Sequence, residues 1–250
     1  MSELNKLLGD ITENQEIGTI ACMIQGQAKM GKSTLALSAS EIENTLVLNF
    51  ENGLAFFKES ENLRIFPSKS KTCNMSNLAE LYKALKISEH NFKTVVFDTA
   101  DGFVEIIINW HLQNEGIKKM RIQDYVPVYN KFMDTIKAFR NLGLNVILTS
   151  HVKKDDDLGK LVAALPGKLV STLGGYLDFI FHLTADNSGQ RVLYTKPNGL
   201  YDAGDRQGKL PETLINAKWK DIIDIVKDDE DPYAKYAEME TKTVAKSKKD

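Results

Sequence analysis

Little in this sequence suggests a disulfide framework, a metal cage or a membrane span. Its 250 residues hold two cysteines, Cys22 and Cys73, with no CxxC spacing, and four scattered histidines with no HExxH pattern. A metal held by protein ligands alone is therefore not expected, and the thiols are expected to be reduced, in a cytoplasmic protein. The longest apolar run near the N-terminus, residues 20–24, is too short for a secretion signal or a bilayer-crossing helix. Neither charge sign dominates: 32 Lys and Arg against 34 Asp and Glu leave a net charge of −2. Contact with nucleic acid would need a local basic patch.

What is present is the make-up of a globular α/β protein. A 42% hydrophobic chain of 250 residues can bury a sizeable core in one large domain or two small ones. Apolar strands are expected at 18–24, 45–50, 93–98 and 144–150, and helices at 32–42, 78–88 and, interrupted at 114–127, across 102–142. Strands at 177–183 and 190–196, joined by a "DNSG" turn, follow a polar stretch over 152–175. Strands alternating with helices predict a doubly wound, mostly parallel sheet, with the last strands as an antiparallel edge. Leu4, Leu7, Leu8 and Ile11 share a helical face, so residues 1–15 read as an amphipathic arm, 16–227 as the core and 228–250 as a disordered polar tail.

The chemistry starts at "GQAKMGKST", residues 26–34: Gly26, Gln27, Ala28, Lys29, Met30, Gly31, Lys32, Ser33 and Thr34. It matches GxxxxGK[ST] between an apolar strand and a helix. Glycines let backbone N–H groups converge on phosphate oxygens, Lys32 reaches the β- and γ-phosphates, and the Ser33 hydroxyl ligates Mg²⁺. Asp98, ending the strand "TVVFD", is placed to accept from the Mg²⁺ hydration shell. Guanine-reading NKxD is missing, since "NKFMD" has its Asp one place late; the five arginines are too dispersed for a nucleotide kinase; and Gln27 stands where the ParA/MinD class has a second lysine. ATP with Mg²⁺ is the expected ligand.

Glu51, in "TLVLNFENGL", follows the strand after the phosphate-loop helix, where a carboxylate can polarise the water that attacks the γ-phosphate. This order of phosphate loop, Glu, Asp and polar strand tip resembles the RecA-like recombinase ATPase core. It is most similar to the short, core-only RecA-like ATPases of bacteriophages, a family of single-strand-annealing and recombination proteins, across residues 16–227. The resemblance implies a P-loop NTPase of RecA-like fold, with Glu51 and Lys32 catalytic. It also implies a γ-phosphate sensor at the tip of "ILTSHVKK", for which Ser150 and His151 are the two candidates and His151 the choice. Arg206, in "YDAGDRQGKLP", is the position for an arginine finger, although Gly204 replaces the family's lysine there. Single-stranded DNA is expected on Lys118, Lys119 and Arg121 and on Lys153 and Lys154, within a homo-oligomeric filament or ring, with a single-strand-binding protein as a candidate partner, in the host cytoplasm if phage-encoded. The alternative is a nucleotide-dependent switch or assembly module without direct DNA contact, which Asp155, Asp156 and Asp157 beside the lysines favour.

Overall fold

The computed structural model describes residues 18–68, 71–157 and 159–228. The expected arm, 1–15, and all of the expected tail beyond Asp228 lie outside the described residues. The chain runs β1 (Ala21–Gln25), α1 (Lys32–Leu37), β2 (Thr45–Asn49), β3 (Leu63–Phe66), α2 (Met75–Ile87), β4 (Thr94–Asp98), α3 (Ala100–Glu115), α4 (Tyr125–Arg140) and β5 (Asn145–Ser150). It continues as β6 (Val152–Asp155), β7 (Lys160–Ala163), α5 (Leu169–Tyr176), β8 (Phe179–Ala185), β9 (Arg191–Tyr194), β10 (Gly204–Asp205), β11 (Thr213–Ile215) and α6 (Trp219–Lys227).

Every residue of β1, β2 and β4 is buried, because helices cover both faces of the sheet; hence their unbroken apolar runs. The main sheet orders its strands β11-β9-β8-β1-β5-β4-β2-β3, with β10 on β8. Neighbours from β8 to β3 are parallel, whereas β9, β10 and β11 pair antiparallel. One apolar layer joins α2, α3, α4 and α5 to the sheet through Leu78, Phe103, Phe132 and Leu169. The opposite layer joins α1 and α6 through Leu35, Trp219 and Ile222. This is the α/β P-loop NTPase fold, doubly wound and mostly parallel, with an antiparallel edge.

Several segments differ from the sequence reading, β10, β11 and α6 among them. The edge strand β3 was not anticipated, since "LRIF" is a short apolar signal with Arg64 exposed. The stretch 152–175 is a β6–β7 hairpin followed by α5, because Val162, Ala163, Leu165, Leu169 and Leu173 bury among the lysines that mask them. Pro127, at the end of the expected 114–127 interruption, lies in the first turn of α4, where its missing N–H removes no helical hydrogen bond. Helix α3 ends at Gly116 in the left-handed region, inside the expected 114–127 interruption.

Candidate nucleotide site

Register brings four strand tips to one level. Gln25 pairs with Ser150, Asn49 with Asp98 and Phe97 with Leu148, so β1, β2, β4 and β5 deliver their carboxyl ends together. Between β1 and α1 the phosphate loop buries Gly26, half-buries Met30, Gly31 and Ser33, and exposes Gln27, Ala28, Lys29 and Thr34. Gly31 caps α1 at φ 96°, a conformation that disfavours any side chain. Lys32 is 6% exposed, and its ammonium donates to the Gly26 carbonyl at 3.0 Å and the Gln27 carbonyl at 2.9 Å. Burial pulls its pKa down, against the attraction of Asp101, Asp98 and Glu51.

Ser33 Oγ donates to both Asp98 oxygens, at 2.9 and 3.2 Å, and Thr149 Oγ1 to Asp98 Oδ1 at 2.5 Å. Burial raises the Asp98 carboxyl pKa, and these hydroxyls with Lys32 oppose the rise. A hydroxyl touching a buried carboxylate beside an ammonium is an oxygen set that fits Mg²⁺ accompanying a nucleotide. Ser33 and Asp98 would hold that ion.

Glu51 follows β2 with its side chain 35% exposed. Thr99, the N-cap of α3, accepts from Gly102 N–H and donates its own hydroxyl to Glu51 Oε1 at 2.5 Å. Burial pushes the Glu51 carboxyl up, and the Thr99 hydrogen bond pulls it partly back. His151 Nδ1 lies 3.7 Å from Glu51 Oε1, whereas Ser150 turns its hydroxyl to the His151 carbonyl at 2.9 Å. Of the two sensor candidates, His151 is the one beside Glu51. Asp101, in the first turn of α3, meets His151 Nδ1 at 2.7 Å and its backbone N–H at 3.1 Å. Glu51, Asp101 and His151 bring ligand atoms within 4.8 Å of one another, with the Asp101–His151 hydrogen bond already joining two of them.

Asp101, Thr99 and Thr149 were missed by the sequence reading. The signal available was "DTAD", two carboxylates three apart across a strand–helix junction. Arg191 was also missed. An ideal Cβ at Gly31 would lie 2.7 Å from Arg191 Nε, so this guanidinium rests on the phosphate loop from β9.

The expected DNA-binding residues fall outside this cluster. Lys118 and Lys119 are exposed between α3 and α4. Arg121 is tied to Asp124 through Nε and Nη2, both at 2.9 Å, and holds that carboxyl well below the usual range. Lys153 donates to the Leu165 carbonyl at 2.5 Å, while Lys154 is exposed on β6. The turn after the hairpin packs on α4, since an ideal Cβ at Gly167 would lie 2.3 Å from the Tyr129 hydroxyl. The hairpin also meets the phosphate-loop strand: Asp202 N–H donates to the Leu161 carbonyl, and Gln25 Nε2 to the Asp202 carbonyl at 2.6 Å. Arg206 pairs with Asp178 at 3.3 Å and with the Gly175 carbonyl at 2.7 Å. Asp178 accepts from Ala21 N–H at the amino end of β1, so Arg206 sits at the opposite end of the sheet from its own phosphate loop. Among the described residues, no helix is long and apolar enough to cross a membrane.

Comparison with curated proteins gives no match. Among solved structures, the chain is similar to a KaiC-like protein of the hyperthermophilic archaeon Pyrococcus horikoshii OT3. The identity is 13%, over 71% of this chain and 79% of that one, with a TM-score of 0.43. A family model described as "AAA domain" matches residues 19–207, from the start of β1 past β10, and so takes in the phosphate loop, Glu51, Asp98 and His151. A match over that share of the sequence makes this chain a member of the AAA domain family of P-loop ATPases.

Proposed function

We propose that this protein is a RecA-like ATPase that hydrolyses Mg²⁺–ATP at the β1, β2, β4 and β5 tips and acts on single-stranded DNA in phage-type recombination or annealing. The observation that carries the hydrolytic part is the meeting of Glu51 and His151 at 3.7 Å, beside Lys32, Ser33 and Asp98. Lys32 neutralises phosphate charge, and Ser33 with Asp98 orients the ion. Glu51, its carboxyl pKa raised by burial, accepts the proton of the attacking water. The DNA part is supported by the exposure of Lys118, Lys119 and Lys154 and by the hydrogen-bonded path from hairpin to Gln25. In this reading the working form is a homo-oligomer in the cytoplasm, and a single-strand-binding protein is a candidate partner.

The engagement of Arg121 by Asp124 and of Lys153 by Leu165 favours a second reading, a nucleotide-dependent switch without DNA contact. ATPase rate and DNA affinity, measured with and without single-stranded DNA, separate the two. The recombination reading expects stimulation by DNA. It also expects a triple Lys118→Ala, Lys119→Ala, Lys154→Ala variant to lose about one unit of log–log salt slope per phosphate contact removed. Wild-type protein with no DNA affinity at low salt, with ATP and Mg²⁺ present, would leave the switch.

A further inference from the structure

We propose that Asp101 is a positioning residue for nucleotide hydrolysis, acting through His151; this rests on the hydrolytic reading of the site. An acid in the first turn of a helix is ordinary, because it complements the helix dipole. Asp101 does more than that. Thr99 already caps α3, and both Asp101 oxygens are directed to one residue 50 positions away, between β5 and β6. Oδ1 accepts from the His151 backbone N–H, and Oδ2 meets its ring Nδ1.

Two points of attachment fix the backbone and the ring at once. A carboxylate partner also dictates the tautomer: Nδ1 carries the proton, and Nε2 is the nitrogen left for a third group. The same α3 N-terminus holds Glu51 through Thr99. One short stretch from the end of β4 into α3 thus serves three partners: Asp98 would hold the ion, Thr99 meets the acid that follows β2 and Asp101 the histidine that follows β5. The remaining charges near this pair are Glu51, Asp98 and Lys32.

Asp101→Asn keeps the shape and an acceptor for the His151 N–H but removes the charge that selects the tautomer. Its turnover should fall about 10- to 100-fold, as expected for a catalytic group displaced by a fraction of an ångström to an ångström. Affinity for a non-hydrolysable ATP analogue with Mg²⁺ should stay within about two-fold of wild type. His151→Gln should cause a similar loss, and the double variant should be no worse than either single one. Independently of activity, ¹⁵N NMR of the imidazoles should show His151 protonated at Nδ1 in the wild type and shifted toward Nε2–H in Asp101→Asn. Wild-type turnover in Asp101→Asn, multiplying losses in the double variant, or His151 protonated at Nε2 alone in the wild type would each overturn the assignment. Should Asp101→Asn fold poorly, the wild-type spectrum and the His151→Gln rate still decide it. A wild-type protein without ATPase activity would instead sink the hydrolytic reading, and the NMR result would still test the clamp.

Discussion

Gly102→Ala separates stability from catalysis at a single methyl group. Gly102 lies in the first turn of α3, and an ideal Cβ there would meet Glu51 Cγ at 2.9 Å, Phe50 Cβ at 3.3 Å and Thr99 Oγ1 at 3.3 Å. Carbon–carbon contact is comfortable at about 3.5–4.0 Å, so Glu51 must retreat by roughly 0.6–1 Å. Helix propensity works the other way, since alanine is favoured over glycine by up to about 1 kcal/mol. The half-exposed Glu51 side chain can yield, whereas buried Phe50 resists, so the two effects nearly offset and the unfolding temperature should move by only a few degrees. Turnover has no such compensation: a misplacement near 1 Å can cost about 100-fold. Thermal unfolding and steady-state ATPase, measured on the same preparation, report the two quantities. A variant folded as stably as wild type and turning over at the wild-type rate would refute the catalytic placement of Glu51.

Further outcomes follow from the same geometry. Lys32→Ala should abolish ATP binding measured by calorimetry, while Glu51→Gln should bind ATP normally and lose turnover. Arg191→Ala should weaken nucleotide binding by about 10-fold without changing the fold, because it removes a cation resting on the phosphate loop; unchanged affinity would assign Arg191 to packing alone. Asp98→Asn should raise the unfolding temperature of the nucleotide-free protein at pH 7 and eliminate the Mg²⁺ dependence of ATP binding. The sign follows from the raised Asp98 pKa: a carboxyl that binds its proton more tightly in the folded chain favours folding at low pH. That contribution is lost as pH rises from the unfolded toward the folded pKa. The Asn variant should therefore show a flatter dependence of stability on pH across that window.

The parts of the site that could be read from sequence are those fixed by local spacing. The phosphate loop needs its glycines and Lys32-Ser33 within nine residues, and Asp98 and Glu51 each end an apolar run that can only be a buried strand. Asp101 and Thr99 were not legible, because their partners follow other strands and only the register between β2, β4 and β5 brings them together. Arg191 was hidden for the same reason, since β9 reaches the loop only by pairing beside β8. The hairpin at 152–163 was obscured by composition: lysines and aspartates dominate, and the burial of Ala163 depends on a helical layer elsewhere in the chain. Helix α6 was lost to its position just before the polar tail, although Trp219, Ile222, Ile223 and Val226 have helical spacing.

The strand order also sets a schedule for the growing chain. The phosphate loop is made before β2 to β11, yet its strand β1 lies between β5 and β8, and Ile20 N–H reaches Asn145 across 125 residues. Until β5 has been synthesised, β1 lacks its neighbour on that side and Asp98 lacks the Thr149 hydroxyl. Nucleotide affinity should consequently arise late and abruptly, once the non-local central strands close, and not grow in proportion to length. Because only the closed sheet binds, ATP would stabilise the finished domain by mass action and leave shorter chains unaided. In a series of chains arrested at increasing length, the first able to retain a fluorescent ATP analogue therefore marks the moment the sheet closes.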